Sequence, residues 1–139
     1  MTPPPPRACE RILGHGIDLV EVERFARLLS AHGDHALDRL FTPAERAYAG
    51  GNPHRRAEHL AARFAAKEAA LKALGTGWAR GIAWTDLEVN RNTAGRPELA
   101  VTGVAGDIAR DLGVTRWTLS LTHVRGLAAA SVLALGDAT

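Results

Sequence analysis

Residues 59–77 of this 139-residue chain constrain its fold most, because their composition predicts a long helix with charges inside its apolar face. Ala, Leu, Lys, Glu and Arg fill the segment without glycine or proline until Gly75, where the helix is expected to end. The apolar stripe has helical spacing and consists of Leu60, Phe64, Leu71 and Leu74. Lys67 and Glu68 fall inside or beside that stripe. Each needs an ion pair, a hydrogen bond or a metal, since a lone desolvated charge costs several kcal/mol.

The region around this helix is basic. Between Arg39 and Arg80 there are eight basic and three acidic residues, a local charge of +5 within a chain of net charge +2. Such a segment is either a solvated face or an anion-binding surface. Lys72 lies one turn beyond Glu68, and the Gly75-Thr76-Gly77 loop is predicted to offer free backbone N–H groups of the kind that bind phosphate. Nucleic acid is one candidate anion, but the segment lacks interleaved aromatic residues for base stacking.

Length and composition predict one soluble domain over residues 11–139. Residues 1–10 include four consecutive prolines and are expected to form a disordered tail that lacks the apolar segment of a secretion signal. No apolar run approaches the roughly 20 residues that a membrane span needs. The single cysteine, Cys9, excludes an internal disulfide and fits a reducing compartment. A cytoplasmic protein is therefore expected.

Asp18 is predicted to lie where the first strand meets the first helix. The strand covers about residues 11–20, its glycines permit close backbone approach, and the helix runs from about Val20 to Gly33. Glu21 follows Asp18 by three residues, as in a capping pair. By itself this pattern favours an N-cap at Asp18 over a metal ligand.

The remaining pattern predicts an α+β fold. The expected elements are a helix start at Thr42, Pro43 and Glu45 that forms a capping box, strands at 87–91 and 98–102, a helix at about 104–112, and a closing hairpin at 117–123 and 127–135. The last arm is rich in alanine, so propensity alone would also permit a helix there. This order predicts an antiparallel sheet packed on the long central helix.

Six separated segments resemble the holo-acyl-carrier-protein synthase family of 4′-phosphopantetheinyl transferases. They are Gly16-Ile17-Asp18, Phe41-Thr42-Pro43-Ala44-Glu45, residues 63–69, residues 74–77, Gly95-Arg96-Pro97 and Ser120-Leu121-Thr122-His123. Their order and spacing match the family over about residues 12 to 135. Two features depart from it: the tail before Arg11, and His15, where a small or apolar residue is more usual.

The resemblance implies transfer of phosphopantetheine from coenzyme A to a serine of an acyl carrier protein, with release of adenosine 3′,5′-bisphosphate. It matches Asp18 and Glu68 to Mg²⁺ ligands, and Lys72 to a lysine near the pyrophosphate. Mg²⁺ suits this role because it prefers one or two carboxylates plus phosphate and water, and it neutralises charge on phosphoryl oxygens. Two bases are candidates for the serine proton: a water on the metal next to Glu68, and Lys72.

The resemblance also implies a coenzyme A site. Besides Lys72, it would contain Arg63, Lys67, Gly75, Thr76, Gly77 and His123. Arg63 and Lys67 have a second interpretation, in which each pairs with a carboxylate and shapes the helix. His123 has one too, since a histidine at a strand end is often a hydrogen-bonded structural residue.

Acyl carrier proteins are acidic, so a basic docking face is expected. Arg24 and Arg27, one turn apart on the first helix, are the candidates, with Leu28 as an apolar contact beside them. The family resemblance also implies a homotrimer with an active site at each subunit boundary. No nucleic-acid or membrane partner is expected. The carrier could serve fatty-acid, polyketide or other synthesis. Two alternatives stay open: a non-catalytic anion- or RNA-binding module, and a non-catalytic relative that only binds coenzyme A or the carrier.

Overall fold

The structure is a computed structural model, and it describes residues 9–138. The predicted Pro-rich tail therefore lies outside the described residues except for Cys9 and Glu10. At Glu10 the prediction is wrong, because this residue already belongs to the first strand. Glu10 pairs with Asp137 of the neighbouring strand, and its carboxylate forms an ion pair of 3.0 Å with Arg116 of the same sheet.

Consecutive helices and antiparallel strand pairs follow one another in separate runs, as the predicted α+β fold requires. Within residues 9–138 they are β1 (Glu10–Glu21), α1 (Val22–Leu40), α2 (Pro43–Gly50), α3 (Arg56–Leu74), β2 (Leu87–Arg91), β3 (Pro97–Val101), α4 (Gly103–Asp111), β4 (Val114–Val124) and β5 (Leu127–Asp137). The alanine-rich last arm is a strand. None of the helices in this part of the chain is both long and apolar enough to cross a membrane.

The strands form two antiparallel sheets, where the sequence predicted one. β5 lies between β1 and β4 in a three-stranded sheet, and β2 pairs with β3 in a separate hairpin. The main core lies between α3 and the inner face of the larger sheet. Small side chains dominate this contact: Ala65, Ala66, Ala69, Ala70, Ala73, Ala130, Val132 and Ala134.

Two glycines bring β1 against α3. A Cβ atom at Gly16 would overlap the carbonyl oxygen of Ala69, and one at Gly14 would overlap that of Ala73. The predicted close backbone approach is therefore confirmed. Side chains two residues apart on a strand share a face, so Asp18 also points to the α3 side of the sheet. The approach thus sets Asp18 beside the middle of the helix.

The beginning of α1 corrects the prediction for Asp18. β1 continues to Glu21, which pairs with Leu127, so α1 begins at Val22 and Asp18 lies four residues before it. The N-cap interpretation of Asp18 is therefore wrong. Gly33 also differs from expectation: it adopts φ 65° and ψ −151°, which kinks α1, but the helix resumes and ends at Leu40.

Candidate active site

A cavity of about 410 Å³ opens between β1, α1 and α3, and we call it the β1–α3 cavity. The structure brings together on its wall the three residues predicted to bind the metal or the pyrophosphate: Asp18 from β1, and Glu68 and Lys72 from α3. Phe25 of α1 and Phe64 of α3 line its apolar part. Residues that are 50 or more positions apart in sequence thus share one site.

Charges in the β1–α3 cavity favour a bound cation. The Lys72 ammonium donates to Asp18 Oδ1 at 3.1 Å and to the Ile17 carbonyl at 2.9 Å. Burial raises the pKa of Glu68 above 4.5, and the Asp18 charge adds to this effect while Lys72 opposes it. Two carboxylates that repel one another gain from a shared divalent ion.

The donor set fits Mg²⁺. No group of three or more His, Cys, Asp and Glu side chains is clustered within residues 9–138 in a way that would enclose a metal. Asp18 and Glu68 provide two carboxylates on one open cavity, and Mg²⁺ commonly takes one or two carboxylates and completes its shell with water and substrate phosphate. The metal-ligand assignment of these two residues remains a proposal.

Lys67, in contrast, is directed into the protein. Its side chain is 0% exposed, and its ammonium lies 2.7 Å from Glu45 Oε1. It also donates to the carbonyls of Leu40 at 2.7 Å and Trp84 at 3.2 Å. Burial lowers the pKa of Lys67, and the Glu45 charge opposes that effect. The geometry therefore favours the second interpretation of Lys67, pairing with a carboxylate, over coenzyme binding.

Glu45 is the partner that the sequence did not reveal. The predicted capping box is confirmed, because Thr42 N–H donates to Glu45 Oε1 at 3.0 Å and Glu45 N–H donates to Thr42 Oγ1 at 3.3 Å. The same carboxylate accepts from the Val89 N–H at 2.9 Å through Oε2. One buried side chain thus joins α2, α3 and β2.

Arg63 is also covered. It is 2% exposed, and its guanidinium stacks on the Tyr48 ring at 4.1 Å. Nη1 donates to the His59 carbonyl at 3.4 Å, while Nε is buried without a hydrogen-bond partner among residues 9–138. The structure therefore favours a helix-shaping role, although the carboxylate expected in that interpretation is replaced by an aromatic ring.

The Gly75-Thr76-Gly77 loop is mainly a helix cap. Gly75 adopts the left-handed conformation with φ 75°, its N–H donates to the Lys72 carbonyl at 3.0 Å, and the Thr76 N–H donates to the Leu71 carbonyl at 3.2 Å. These bonds define a Schellman motif. The prediction of free N–H groups is therefore wrong for Gly75 and Thr76. The helix C-terminus also carries partial negative charge, which disfavours phosphate.

His123 does not line the β1–α3 cavity of its own chain. On the inner face of the sheet it is separated from Val20 by Ala128, and its Nε2 lies 2.9 Å from Glu58 Oε1 at the beginning of α3. Glu58 precedes Glu68 by ten residues, which is about 15 Å along a helix. The structure therefore does not bring His123 to the β1–α3 cavity within one chain. Glu58 was missed because its partner is distant in sequence.

The predicted docking residues are divided. Arg24 and Leu28 line the β1–α3 cavity, and Leu28 is 46% exposed. Arg27 instead points to solvent, where it forms an exposed ion pair of 3.4 Å with Glu23. Arg24 and Leu28 thus line the same cavity as the carboxylate pair, and Arg27 does not.

Comparison with known proteins identifies the family of this chain. The sequence model of the 4′-phosphopantetheinyl transferase superfamily matches residues 14–132. The holo-acyl-carrier-protein synthase of Anaeromyxobacter dehalogenans is 52% identical over 128 residues, which cover 90% of this chain and 97% of the relative.

Solved structures show the same fold. The crystal structure of holo-acyl-carrier-protein synthase from Neisseria meningitidis has a TM-score of 0.81 at 30% identity, and the match covers 89% of this chain and 98% of that one. The holo-acyl-carrier-protein synthase from Bacillus anthracis, crystallised in complex with coenzyme A (3′,5′-ADP), has a TM-score of 0.74 at 34% identity. That match covers 91% of this chain and 98% of the other.

Proposed function

The chain belongs to the 4′-phosphopantetheinyl transferase superfamily, and we infer that it transfers the 4′-phosphopantetheine group of coenzyme A to a serine of an acyl carrier protein. In this reaction the serine oxygen forms a bond to the pyrophosphate phosphorus that carries pantetheine. The phosphorus–oxygen bond to adenosine 3′,5′-bisphosphate breaks, and the serine proton is released. The convergence of Asp18, Glu68 and Lys72 in one cavity is the observation that supports this site for the reaction.

We propose that Asp18 and Glu68 hold Mg²⁺ in the β1–α3 cavity. Bound there, the ion would neutralise charge that develops on the phosphoryl oxygens. The raised pKa of Glu68 supports the assignment, because desolvation and repulsion by Asp18 disfavour an ionised carboxylate without a cation.

We assign Lys72 to the pyrophosphate. Its side chain is half exposed, so a phosphate can reach the ammonium, and both of its hydrogen bonds to β1 are donated. The bond to Asp18 also fixes the carboxylate beside Glu68. A lysine that donates in this way is suited to binding an anion rather than to accepting the serine proton, so the geometry favours binding over base catalysis.

The protein is proposed to act as a homotrimer. On the outer face of the larger sheet, Ile17 is 58% exposed, Leu19 is 62% exposed and Val124 is 66% exposed, and such apolar patches favour association. His123 pairs with Glu58, which lies ten residues, about 15 Å along α3, before Glu68 of the same chain. A neighbouring subunit would cover the apolar face and bring its own His123 to the β1–α3 cavity. We further propose that residues 10–138 belong to one cytoplasmic domain.

Incubation with a carrier protein tests the function directly. The purified protein, coenzyme A, Mg²⁺ and an apo acyl carrier protein are mixed, and the carrier is analysed by intact mass spectrometry. A mass increase of one phosphopantetheine group, absent when coenzyme A is omitted, is expected. If the carrier stays unmodified and the protein binds RNA in a salt-dependent way that Mg²⁺ does not affect, the protein is instead an anion-binding module.

Charge reversal at Arg24 is expected to affect the carrier and not the coenzyme. Arg24→Glu should raise the KM for the carrier about tenfold, because it removes one favourable electrostatic contact with an acidic partner. The KM for coenzyme A should stay unchanged. Arg110→Glu is the matched control, because Arg110 is an exposed helix arginine outside the β1–α3 cavity. An equal loss for both substrates would remove Arg24 from the docking surface.

A further inference from the structure

One carboxylate oxygen at the beginning of α3 contacts the side chains of an arginine and a histidine. Glu58 Oε1 accepts from Arg55 Nη2 at 2.7 Å and lies 2.9 Å from His123 Nε2. Arg55 Nη2 and His123 Nε2 are themselves 3.1 Å apart. All three side chains remain partly exposed, so an anion from solvent can reach them. We call Arg55, Glu58 and His123 the Glu58 triad.

Arg55, Arg63 and Arg91 place more positive charge around His59 than Glu58 neutralises. His59, on the next position of α3, has its pKa lowered by burial, and the charges of Arg55 and Arg63 reinforce that effect, with Glu58 as the opposing carboxylate. His59 Nδ1 is buried and has no hydrogen-bond partner within the described chain. A group with more negative charge than a carboxylate would be bound more strongly here.

Glu58 itself stays ionised. The hydrogen bond from Arg55 lowers the pKa of Glu58. Burial partly opposes this effect, and the charge of His123 adds a smaller lowering. The carboxylate is therefore present as a charged acceptor at neutral pH. It contacts the nitrogen atoms of Arg55 and His123 that a phosphate oxygen would otherwise contact.

We propose that Glu58 is an internal substitute for a phosphate group of coenzyme A, which orders Arg55 and His123 in the free enzyme and is displaced when the coenzyme binds. This inference rests on the proposed function and on the predicted membership of His123 in the coenzyme A site. It adds Arg55 to that site. It also means that the enzyme binds its coenzyme less tightly than it would without Glu58, which helps release of the bisphosphate product.

The opposite role for Glu58 predicts the opposite effect. If the carboxylate only orients Arg55 and His123 for the phosphate, its removal loosens both side chains and weakens binding. If it competes with the phosphate, its removal strengthens binding. The direction of the change therefore separates the two roles.

The test is a titration of coenzyme A by calorimetry into the wild type, Glu58→Gln and Asp107→Asn. Asp107 is the matched control, because it also forms an exposed ion pair with an arginine three residues away. Glu58→Gln is expected to bind coenzyme A about fivefold more tightly, the effect of removing one charge a few ångströms from a phosphate in water. Asp107→Asn should bind like the wild type. Unchanged or weaker binding by Glu58→Gln would overturn the proposal.

Two further ligands define what is displaced. Pantetheine has no phosphate, so Glu58→Gln should not bind it more tightly, and an equal gain for pantetheine would contradict phosphate displacement. Dephospho-coenzyme A should keep the gain if the displaced carboxylate substitutes for the pyrophosphate and lose it if it substitutes for the 3′-phosphate. Each of these two results upholds the proposal and names the group.

Failure of this inference differs from failure of the proposed function. If the wild type neither binds coenzyme A nor modifies the carrier, the function is wrong. If the wild type does both and Glu58→Gln gains no affinity, only the role of Glu58 is wrong. Thermal unfolding of each variant is recorded alongside, because a first-turn acid also stabilises its helix slightly.

Discussion

Glu68→Gln is expected to lower kcat by about 100- to 1,000-fold, the usual cost of losing one group that stabilises transition-state charge. Gln keeps the shape of Glu68 but removes the charge that we assign to Mg²⁺. Rates of carrier modification by mass spectrometry measure the effect. Glu98→Gln, on the hairpin of β2 and β3, is the control and should retain wild-type rates. A Glu68→Gln enzyme with wild-type turnover would contradict the two-carboxylate site.

The same substitution has a stability effect that does not depend on turnover. The pKa of Glu68 is raised above 4.5, so stability from its protonated form is complete below that pH and is lost as the pH rises through the raised pKa. Glu68→Gln should therefore melt at a higher temperature than the metal-free wild type at about pH 8, and at a similar temperature at about pH 4. Added Mg²⁺ should raise the melting temperature of the wild type alone.

Lys67→Met is expected to lower the free energy of unfolding by about 3–5 kcal/mol, because it leaves the Glu45 carboxylate buried without its cation. Both side chains of this pair are 0% exposed, so water cannot replace the lost partner. Urea denaturation followed by circular dichroism measures the change. Arg27→Met is the control, since it breaks an exposed pair that should contribute less than about 1 kcal/mol.

A double variant separates the ion pair from packing. Glu45→Gln combined with Lys67→Met removes both charges and keeps the volumes similar, so it should recover part of the loss. A Lys67→Met protein as stable as the wild type would show that the pair does not hold α2 and α3 together.

The sequence indicated which residues belong to the site and its supporting helix, but not which residues contact one another. Helical spacing correctly indicated that Lys67 lies in the apolar stripe and needs a partner. The partner is Glu45. Its capping box with Thr42 already gave the Glu45 carboxylate a local role, so the sequence offered no reason to look for a further contact. A side chain that satisfies a local motif gives no sequence signal of a second, distant contact.

Asp18 and the Gly75-Thr76-Gly77 loop show a second limit of sequence patterns, which is that they do not reveal backbone hydrogen bonding. For Asp18 the local pattern favoured an N-cap, but pairing of Glu21 with Leu127 extends β1 past the expected helix start. The loop was correctly predicted to follow the helix, yet its N–H groups complete the helix cap. In both cases hydrogen bonds between backbone groups, which the side-chain pattern does not encode, decided the outcome.

Gly14 and Gly16 were the most informative glycines. Their prediction as points of close approach is confirmed by the contact of β1 with Ala69 and Ala73. The split of the larger sheet from the β2–β3 hairpin was not predicted, because strand signals give pairing partners only for neighbours in sequence.

Binding of Mn²⁺ in place of Mg²⁺ tests most directly whether Asp18 and Glu68 share a divalent cation. Electron paramagnetic resonance measures the concentration of free Mn²⁺ as the ion is titrated into each protein with coenzyme A present. The proteins are the wild type, Asp18→Asn, Glu68→Gln and the control Asp107→Asn. One bound Mn²⁺ per chain is expected for the wild type and the control. Each carboxylate variant should bind at least about tenfold more weakly. Wild-type affinity in either Asp18→Asn or Glu68→Gln would contradict the shared site.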